Sequence, residues 1–288
     1  MHYKIVNLNG GLGNQMFQYA FGKSLESKFN CEVLYDKKCF KQKPDMYSLN
    51  IFMNMNIQFA NQFQIIMMQN FKKIVPKFLR RFLNLDKYTI REPKENYSYF
   101  YKNIFLNNYN RYFIGYFQNE KYFLDIQDEI RKVFTFPPIR ENDSFTKERA
   151  EKIKYAKNSV FIHIRRGDYV GLDWQLDMDY YKKAVKIMQE KLENPKFFVF
   201  GATDLEFIKN LDLGCEFENL SQIDSNPANH YEDMRLMSMC EHGIIANSTY
   251  SWWAAWLSDY DGKIIIAPTP WVLGKDDIIP NRWIKIKR

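Results

Sequence analysis

Long apolar runs are missing from this 288-residue chain. Nothing approaches about 18 uninterrupted apolar residues, the length that spans a bilayer as a helix, so no crossing segment is predicted. The start, Met1-His2-Tyr3-Lys4-Ile5-Val6, lacks a basic stretch followed by an apolar run, and a secretory signal is therefore not expected. Cysteine is scarce. Cys31, Cys39, Cys215 and Cys240 show no C-x-x-C spacing, which argues against a disulfide framework and predicts reduced thiols in a cytoplasmic protein. Low-complexity tracts and internal repeats are absent too, while 46% of residues are hydrophobic and 17% aromatic. Collagen-like and disordered classes are thereby excluded and a sizeable core is expected. Metal-site spacings are also missing: there is no H-E-x-x-H, D-x-D, paired Cys–His or Walker lysine motif. The histidines (His2, His163, His230, His242) are scattered.

What is present alternates. Tyr3–Asn9, Glu32–Tyr35 and Arg111–Gly115 read as strands, with helices over Gln15–Phe29 and Glu120–Val133. Phe136-Pro137-Pro138 breaks the pattern, and the polar helix Asp143–Lys157 reads as a connector. Beyond it, strands Val160–Arg165, Lys196–Gly201, Cys215–Glu218, Gly243–Ala246 and Lys263–Ala267 alternate with helices Asp179–Leu192, Leu205–Asn210, Tyr231–Cys240 and Ser248–Leu257. Repeated β-α units predict an α/β protein with parallel sheets. Two such domains in tandem place a ligand cleft at the carboxyl ends of their strands.

Three strand-to-loop segments carry chemistry. In Asn9-Gly10-Gly11-Leu12-Gly13-Asn14-Gln15, glycines let the backbone approach a ligand, and the helix start that follows offers free N–H groups. A plain tight turn explains the same residues. In His163-Ile164-Arg165-Arg166-Gly167-Asp168-Tyr169, two guanidiniums end a strand, where they suit a diphosphate. Asp168 either orients an arginine or faces the substrate, and a structural Arg–Asp ion pair is the plain alternative. In Asn247-Ser248-Thr249-Tyr250-Ser251, small polar residues open a helix, where they either cap it or help it hold a phosphate. Trp252, Trp253 and Trp256 read as packing. Without a metal, arginines and helix N-termini must neutralise a departing diphosphate. A rival reading takes Gly11, Gly13 and Asp36 as a dinucleotide fingerprint and predicts an NAD(P)-dependent oxidoreductase, but Met16 stands where that motif wants a third small residue. The second rival, a basic nucleic-acid-binding protein, shows none of the standard signatures.

The three segments together, Gly10–Ala20 (GGLGNQMFQYA), His163–Tyr169 (HIRRGDY) and Asn247–Leu257 (NSTYSWWAAWL), resemble the signatures of the bacterial α-1,2-fucosyltransferases of glycosyltransferase family 11. Gly115-Tyr116-Phe117-Gln118 and Asp173-Trp174-Gln175-Leu176-Asp177 add to the resemblance. It implies two Rossmann-like domains facing a cleft, the GT-B type. Residues 1–150 would form the acceptor side, with a basic helical insertion near 61–91, and 151–288 would bind the donor. The implied reaction is metal-independent, with no cofactor. L-Fucose passes from GDP-β-L-fucose to the 2-hydroxyl of a terminal β-galactoside, with inversion, in surface glycan or lipopolysaccharide O-antigen synthesis. On this resemblance Arg165 contacts the diphosphate and His163 lies near the nucleotide. Asn247, Ser248, Thr249 and Ser251 form the phosphate loop, and Gly11, Gly13 and Asn14 the N-terminal loop. Asp204 aligns with an acidic position near the guanine. Trp174 and Gln175 are placed on the acceptor side, and Asp168 is the candidate general base.

The net charge of +7 is local. Residues 61–91 hold Lys72, Lys73, Lys77, Arg80, Arg81, Lys87 and Arg91 against Asp86 alone, and the last seven residues add Arg282, Lys285, Lys287 and Arg288. The remainder is slightly acidic. In Phe71–Leu83 an apolar face opposes five basic residues, as in peripheral membrane helices. A helix packed on its own domain with a solvated basic rim fits equally well. The first reading puts the enzyme on the inner face of the cytoplasmic membrane, through 71–83 and beside lipid-linked glycan acceptors, with no nucleic-acid partner.

Overall fold

Hydrophobic strands followed by returning helices build parallel sheets in both halves of the chain. The structure is a computed structural model and describes residues 3–69, 75–76, 78–79, 89–93, 98–106, 108, 110–165, 171, 174–201, 205–221, 230–272 and 276–288. The basic segment 71–83 lies almost wholly outside these residues.

The chain divides into Met1–Pro137 (unit 1) and Pro138–Arg288 (unit 2). In unit 1 the strands are β1 (Tyr3–Asn7), β2 (Glu32–Asp36), β3 (Thr89–Arg91) and β4 (Arg111–Ile114), all parallel in the order β2-β1-β4-β3. β1 is central, and its Lys4, Ile5 and Val6 are buried. Helix α1 (Leu12–Phe29) follows it and ends on Asn30, whose φ of 45° is a left-handed cap. α2 is Gln62–Gln69 and α3 Gln127–Val133. The helix expected over Glu120–Val133 is broken: 3-10 turns at Glu120–Tyr122 and Leu124–Ile126 precede α3.

Unit 2 contains α4 (Ser144–Tyr155), β5 (Ser159–His163), α5 (Met178–Lys191), β6 (Lys196–Phe200), α6 (Leu205–Lys209), β7 (Phe217–Asn219), α7 (Glu232–Met239), β8 (His242–Ile244), α8 (Thr249–Leu257), β9 (Ile265–Thr269) and β10 (Ile284–Lys287). Its six strands are parallel in the order β10-β9-β8-β5-β6-β7. α5 shows how sequence sets packing. Tyr180, Tyr181, Ala184, Val185 and Met188 recur at helical spacing and are buried against Val160, Ile162 and Val199 of the sheet. The tyrosine hydroxyls stay satisfied, since Tyr180 donates to the Ile245 carbonyl at 2.7 Å and Tyr181 to the His163 carbonyl at 3.1 Å. Trp252, Trp253 and Trp256 are 0% exposed. Burying about 150–250 Å² for each such ring is worth at most roughly 4–6 kcal/mol. These tryptophans are core.

The boundary falls earlier than residue 150, and α4 is not a connector. Arg149 is buried in unit 2, where its guanidinium donates to the Leu220 carbonyl at 2.6 Å and to Thr146 Oγ1 at 3.2 Å, and pairs with Asp233 at 3.5 Å. A polar helix pattern concealed one inward-facing arginine. Among the described residues no helix is long and apolar enough to cross a membrane, and all four cysteines are unpaired.

Arg149→Met should lower the unfolding free energy by about 2–4 kcal/mol, because it leaves a carbonyl and a carboxylate without their donor. Urea unfolding measures it, and a loss below about 1 kcal/mol would mean that α4 is held by other contacts.

Candidate active site

In unit 2 the strand order reverses between β5 and β8, and an open parallel sheet binds ligands outside the carboxyl ends of such a pair. The sequence delivers His163-Ile164-Arg165 there from β5 and Asn247-Ser248-Thr249 from β8, so the second and third motifs are neighbours. Ile164 points into the core at 2% exposure, while Arg165 is half-buried. His163 is 2% exposed, and burial first, then the Arg165 charge, push its pKa down from 6.5 to about 3. The imidazole is therefore neutral at physiological pH, and its buried Nδ1 has no hydrogen-bond partner among the described residues. Gly201, at the end of β6, has φ +78°, and a Cβ there would stand 2.8 Å from His163 Nε2. Only glycine lets β6 end so close to the ring.

At α8 the Ser248 side chain accepts the Tyr250 N–H at 3.3 Å, and the first turn holds no acidic residue. The helix start therefore keeps its positive dipole end uncompensated by side-chain charge. Tyr250 lies 5.9 Å from the His163 ring. Its hydroxyl donates to the His230 carbonyl at 2.8 Å and accepts the Met234 N–H at 2.9 Å. Burial, the largest cause, raises its pKa well above 10, while the Arg165 charge opposes this. Arg165 thus acts electrostatically on both rings.

One expectation needs correction. Ser251 is 0% exposed and its hydroxyl donates to the Ser248 carbonyl at 3.3 Å, so it back-bonds to its own helix instead of facing a ligand. Trp174 and Gln175, expected to contact the acceptor, lie in unit 2, where Asn247 Nδ2 donates to the Trp174 carbonyl at 2.8 Å and fixes this segment beside β8. Thr249 is half-buried at the helix start. Arg166, Asp168 and Asp204 lie outside the described residues.

Unit 1 has its own reversal, between β1 and β4, and the Gly10–Asn14 loop follows β1 there. Gly10 has φ +77°, and a Cβ would meet Asn14 Nδ2 at 2.5 Å. Gly11 caps α1 with no side-chain bond and has open space around its missing Cβ, whereas Gly13 is buried in the helix. Asn14 is half-buried and its Oδ1 accepts Gln118 Nε2 at 2.8 Å, so the loops after β1 and β4 are joined. Three bracing residues were not foreseen. Gln15 donates to the Gly10 and Met46 carbonyls at 2.8 and 2.7 Å. Gln18 accepts the Asn9 N–H and donates to the Gly115 carbonyl, each at 2.9 Å. Buried Glu92 accepts the Tyr116 and Phe117 N–H groups at 2.6 and 3.1 Å, holding Phe117 at φ 51°. The signal for the glutamines was their place on an otherwise apolar helix face. Glu92 had none.

The dinucleotide reading loses its acidic residue. Asp36 is 2% exposed, its carboxylate accepting the Tyr112 hydroxyl at 2.7 Å and the Lys38 N–H at 2.8 Å, and Met16 is 0% exposed. A ribose has no carboxylate to bind there.

The family model for glycosyl transferase family 11 matches residues 3–287. The chain belongs to this family. It is a glycosyltransferase, 34% identical over the whole of both chains to an α-1,2-colitosyltransferase from Escherichia coli. To the O-antigen biosynthesis glycosyltransferase WbnK of Escherichia coli it is 28% identical, over 97% of this chain and 99% of that one. To galactoside α-(1,2)-fucosyltransferase 2 of Mus musculus it is 27% identical, over 52% of this chain and 45% of that one. The structure of Arabidopsis thaliana FUT1 in complex with GDP aligns with a TM-score of 0.51 at 12% identity, covering 92% of this chain and 70% of that chain. The glycosyltransferase thus has the α/β fold of GT-B type.

His163 gives a pH test. Its native pKa of about 3 lies below the unfolded 6.5, so the stability it contributes above 6.5 is lost as pH falls toward 3. In His163→Gln the decline between these values should be shallower, by up to about 1.4 kcal/mol per pH unit. Urea unfolding at stepped pH reads this, and an unchanged slope would mean that the native imidazole is solvated.

Proposed function

We propose that this glycosyltransferase moves L-fucose from GDP-β-L-fucose to the 2-hydroxyl of a terminal β-galactoside, inverting the anomeric carbon and using no metal. The observation that carries the reading is the pairing at the β5–β8 reversal of Arg165 with the α8 helix start, over a histidine kept neutral. The guanidinium and the helix dipole both favour a diphosphate, most strongly as negative charge develops on it. The bond from C1 to the β-phosphate oxygen breaks with its electron pair leaving on GDP. The acceptor oxygen attacks the opposite face of C1, and its proton passes to Asp168. A neutral His163 adds no positive charge to compete with Arg165, and hydrogen-bonds near the nucleotide. Asn247, Ser248 and Thr249 shape the phosphate loop, while Asn14 with the Gly10–Gly11 turn serves the sugar side. Asp204 takes the guanine.

Support comes from the α-1,2 linkage in the names of two relatives, one of them a galactoside fucosyltransferase, and from GDP in the FUT1 complex. The O-antigen relative favours a surface glycan as product, built at the cytoplasmic face of the membrane. One specific observation favours a second donor: the full-length relative at 34% identity is a colitosyltransferase. Colitose is fucose without its 3-hydroxyl, so the two donors share every group that the diphosphate site handles.

Arg165→Ala should lower kcat/KM by about 10²–10³-fold while the far-UV circular dichroism and melting temperature stay close to those of the parent, since a positioned donor to a developing oxyanion is lost. Activity within about threefold of the parent would remove Arg165 from the diphosphate site. For Asp168→Asn, a fall in kcat with loss of the acidic limb of its pH profile is expected, and an unchanged profile would exclude it as the base.

A further inference from the structure

Unit 1 holds a cavity of about 410 Å³ that the reaction above leaves unused, within the range of sites that enclose a small ligand. Its walls include Phe40, Tyr47, Phe59, Ile65 and Ile66. The aromatic members are ordered by contact: Phe40 and Tyr47 have centroids 5.9 Å apart, and Tyr47 and Phe59 meet edge to face at 5.8 Å. Lys37, Lys38 and Lys41 stand on the same cavity, all three exposed and none in an ion pair with a carboxylate among the described residues. The Lys37 ammonium lies 3.9 Å from the Phe59 ring centroid, which fixes a positive charge against the apolar wall. Asp36 also borders the cavity, but its buried carboxylate is turned to Tyr112 Oη and the Lys38 N–H. An apolar body with a positively charged mouth suits an occupant that is itself apolar with an anionic end. An inorganic anion alone would leave the apolar wall uncovered, and a plain hydrocarbon would leave the lysines unanswered.

The position adds a second reason. The segment that forms one lip is tied to the Gly10–Gln15 loop: Gln15 donates to the Met46 carbonyl and accepts the Ser48 N–H at 3.0 Å, and Cys39 Sγ donates to the Leu8 carbonyl at 3.1 Å. The cavity therefore borders the carboxyl edge of the unit 1 sheet. We propose that it binds a single apolar chain ending in a phosphate, with the chain against Phe40, Tyr47 and Phe59 and the phosphate at Lys37, Lys38 and Lys41. Resting on the transfer reading, this makes it the seat of an acceptor's lipid-phosphate carrier.

Titration calorimetry with farnesyl phosphate, farnesol and inorganic phosphate tests it directly. Farnesyl phosphate should bind, farnesol about tenfold more weakly or worse, and inorganic phosphate not measurably, since a charge-assisted contact is worth about that factor. Ala60→Trp, which fills the cavity, should abolish binding of farnesyl phosphate. Lys38→Glu combined with Lys41→Glu should reduce its affinity to that of farnesol. GDP binding should survive in both variants, which reports an intact unit 2 and separates this site from the donor site. No binding of farnesyl phosphate by the parent protein, equal affinity for farnesol, or unchanged affinity in Ala60→Trp would each overturn the proposal. Binding without any glycosyl transfer would sink the transfer reading and leave this site standing.

Discussion

Each sheet reverses its strand order beside its own first strand, and the chemistry of this protein follows from those two reversals. Parallel strands leave all their carboxyl ends on one edge, and where neighbouring connections diverge they leave room for a ligand. In unit 2 the reversal lies between β5 and β8, so residues 84 positions apart, Arg165 and Thr249, emerge from adjacent strands. In unit 1 it lies between β1 and β4 and brings Asn14 to Gln118. The motifs are loops, but the sheets decide which loops meet.

At the unit 2 edge the electrostatics rest on burial. His163 is enclosed by Gly201, Tyr250 and its own sheet, and desolvation outweighs any tendency to hold a proton. Arg165, one residue beyond Ile164, is only half-buried. The strand end thus carries a guanidinium beside an imidazole that is neutral at physiological pH, and the α8 start adds a fixed dipole. At the unit 1 edge the equivalent work is done by hydrogen bonds. Gln15, Gln18 and Glu92 use their polar atoms on backbone, which frees Gly10–Asn14 and Gly115–Gln118 to keep one shape.

Much of this was legible in the residues. Alternating strand and helix periods predicted the parallel α/β fold and most strands to within a few residues, because buried parallel strands are short, continuous apolar runs. β3 and β10 escaped: Thr89-Ile90-Arg91 is three residues long with a charged end, and Ile284-Lys285-Ile286-Lys287 sits on the sheet edge, half-buried and basic. The domain boundary was misjudged because a mostly charged helix looks solvated until Arg149 is seen turned inward. Residue type and place put the glycines, His163 and Arg165 where strands end, and the structure finds them at those sheet edges. Ser251 was not legible in this way, since a serine in a first helical turn can bond outward or back to its own carbonyls, and only geometry decides. Glu92, far in sequence from the loop that it holds, left no local pattern at all.

The central claim is α-1,2 transfer of fucose to galactose, and the identity of the product tests it most directly. The glycosyltransferase is incubated with GDP-fucose, and in parallel with GDP-colitose, against Gal-β1,3-GlcNAc, Gal-β1,4-GlcNAc, lactose and Gal-β1,3-GalNAc, and the linkage is determined by NMR. The account predicts an α-1,2-linked fucose on the terminal galactose of at least one acceptor, formed faster than the colitose product. Transfer from GDP-colitose alone would contradict the donor, and a linkage to any other hydroxyl would contradict the reaction itself.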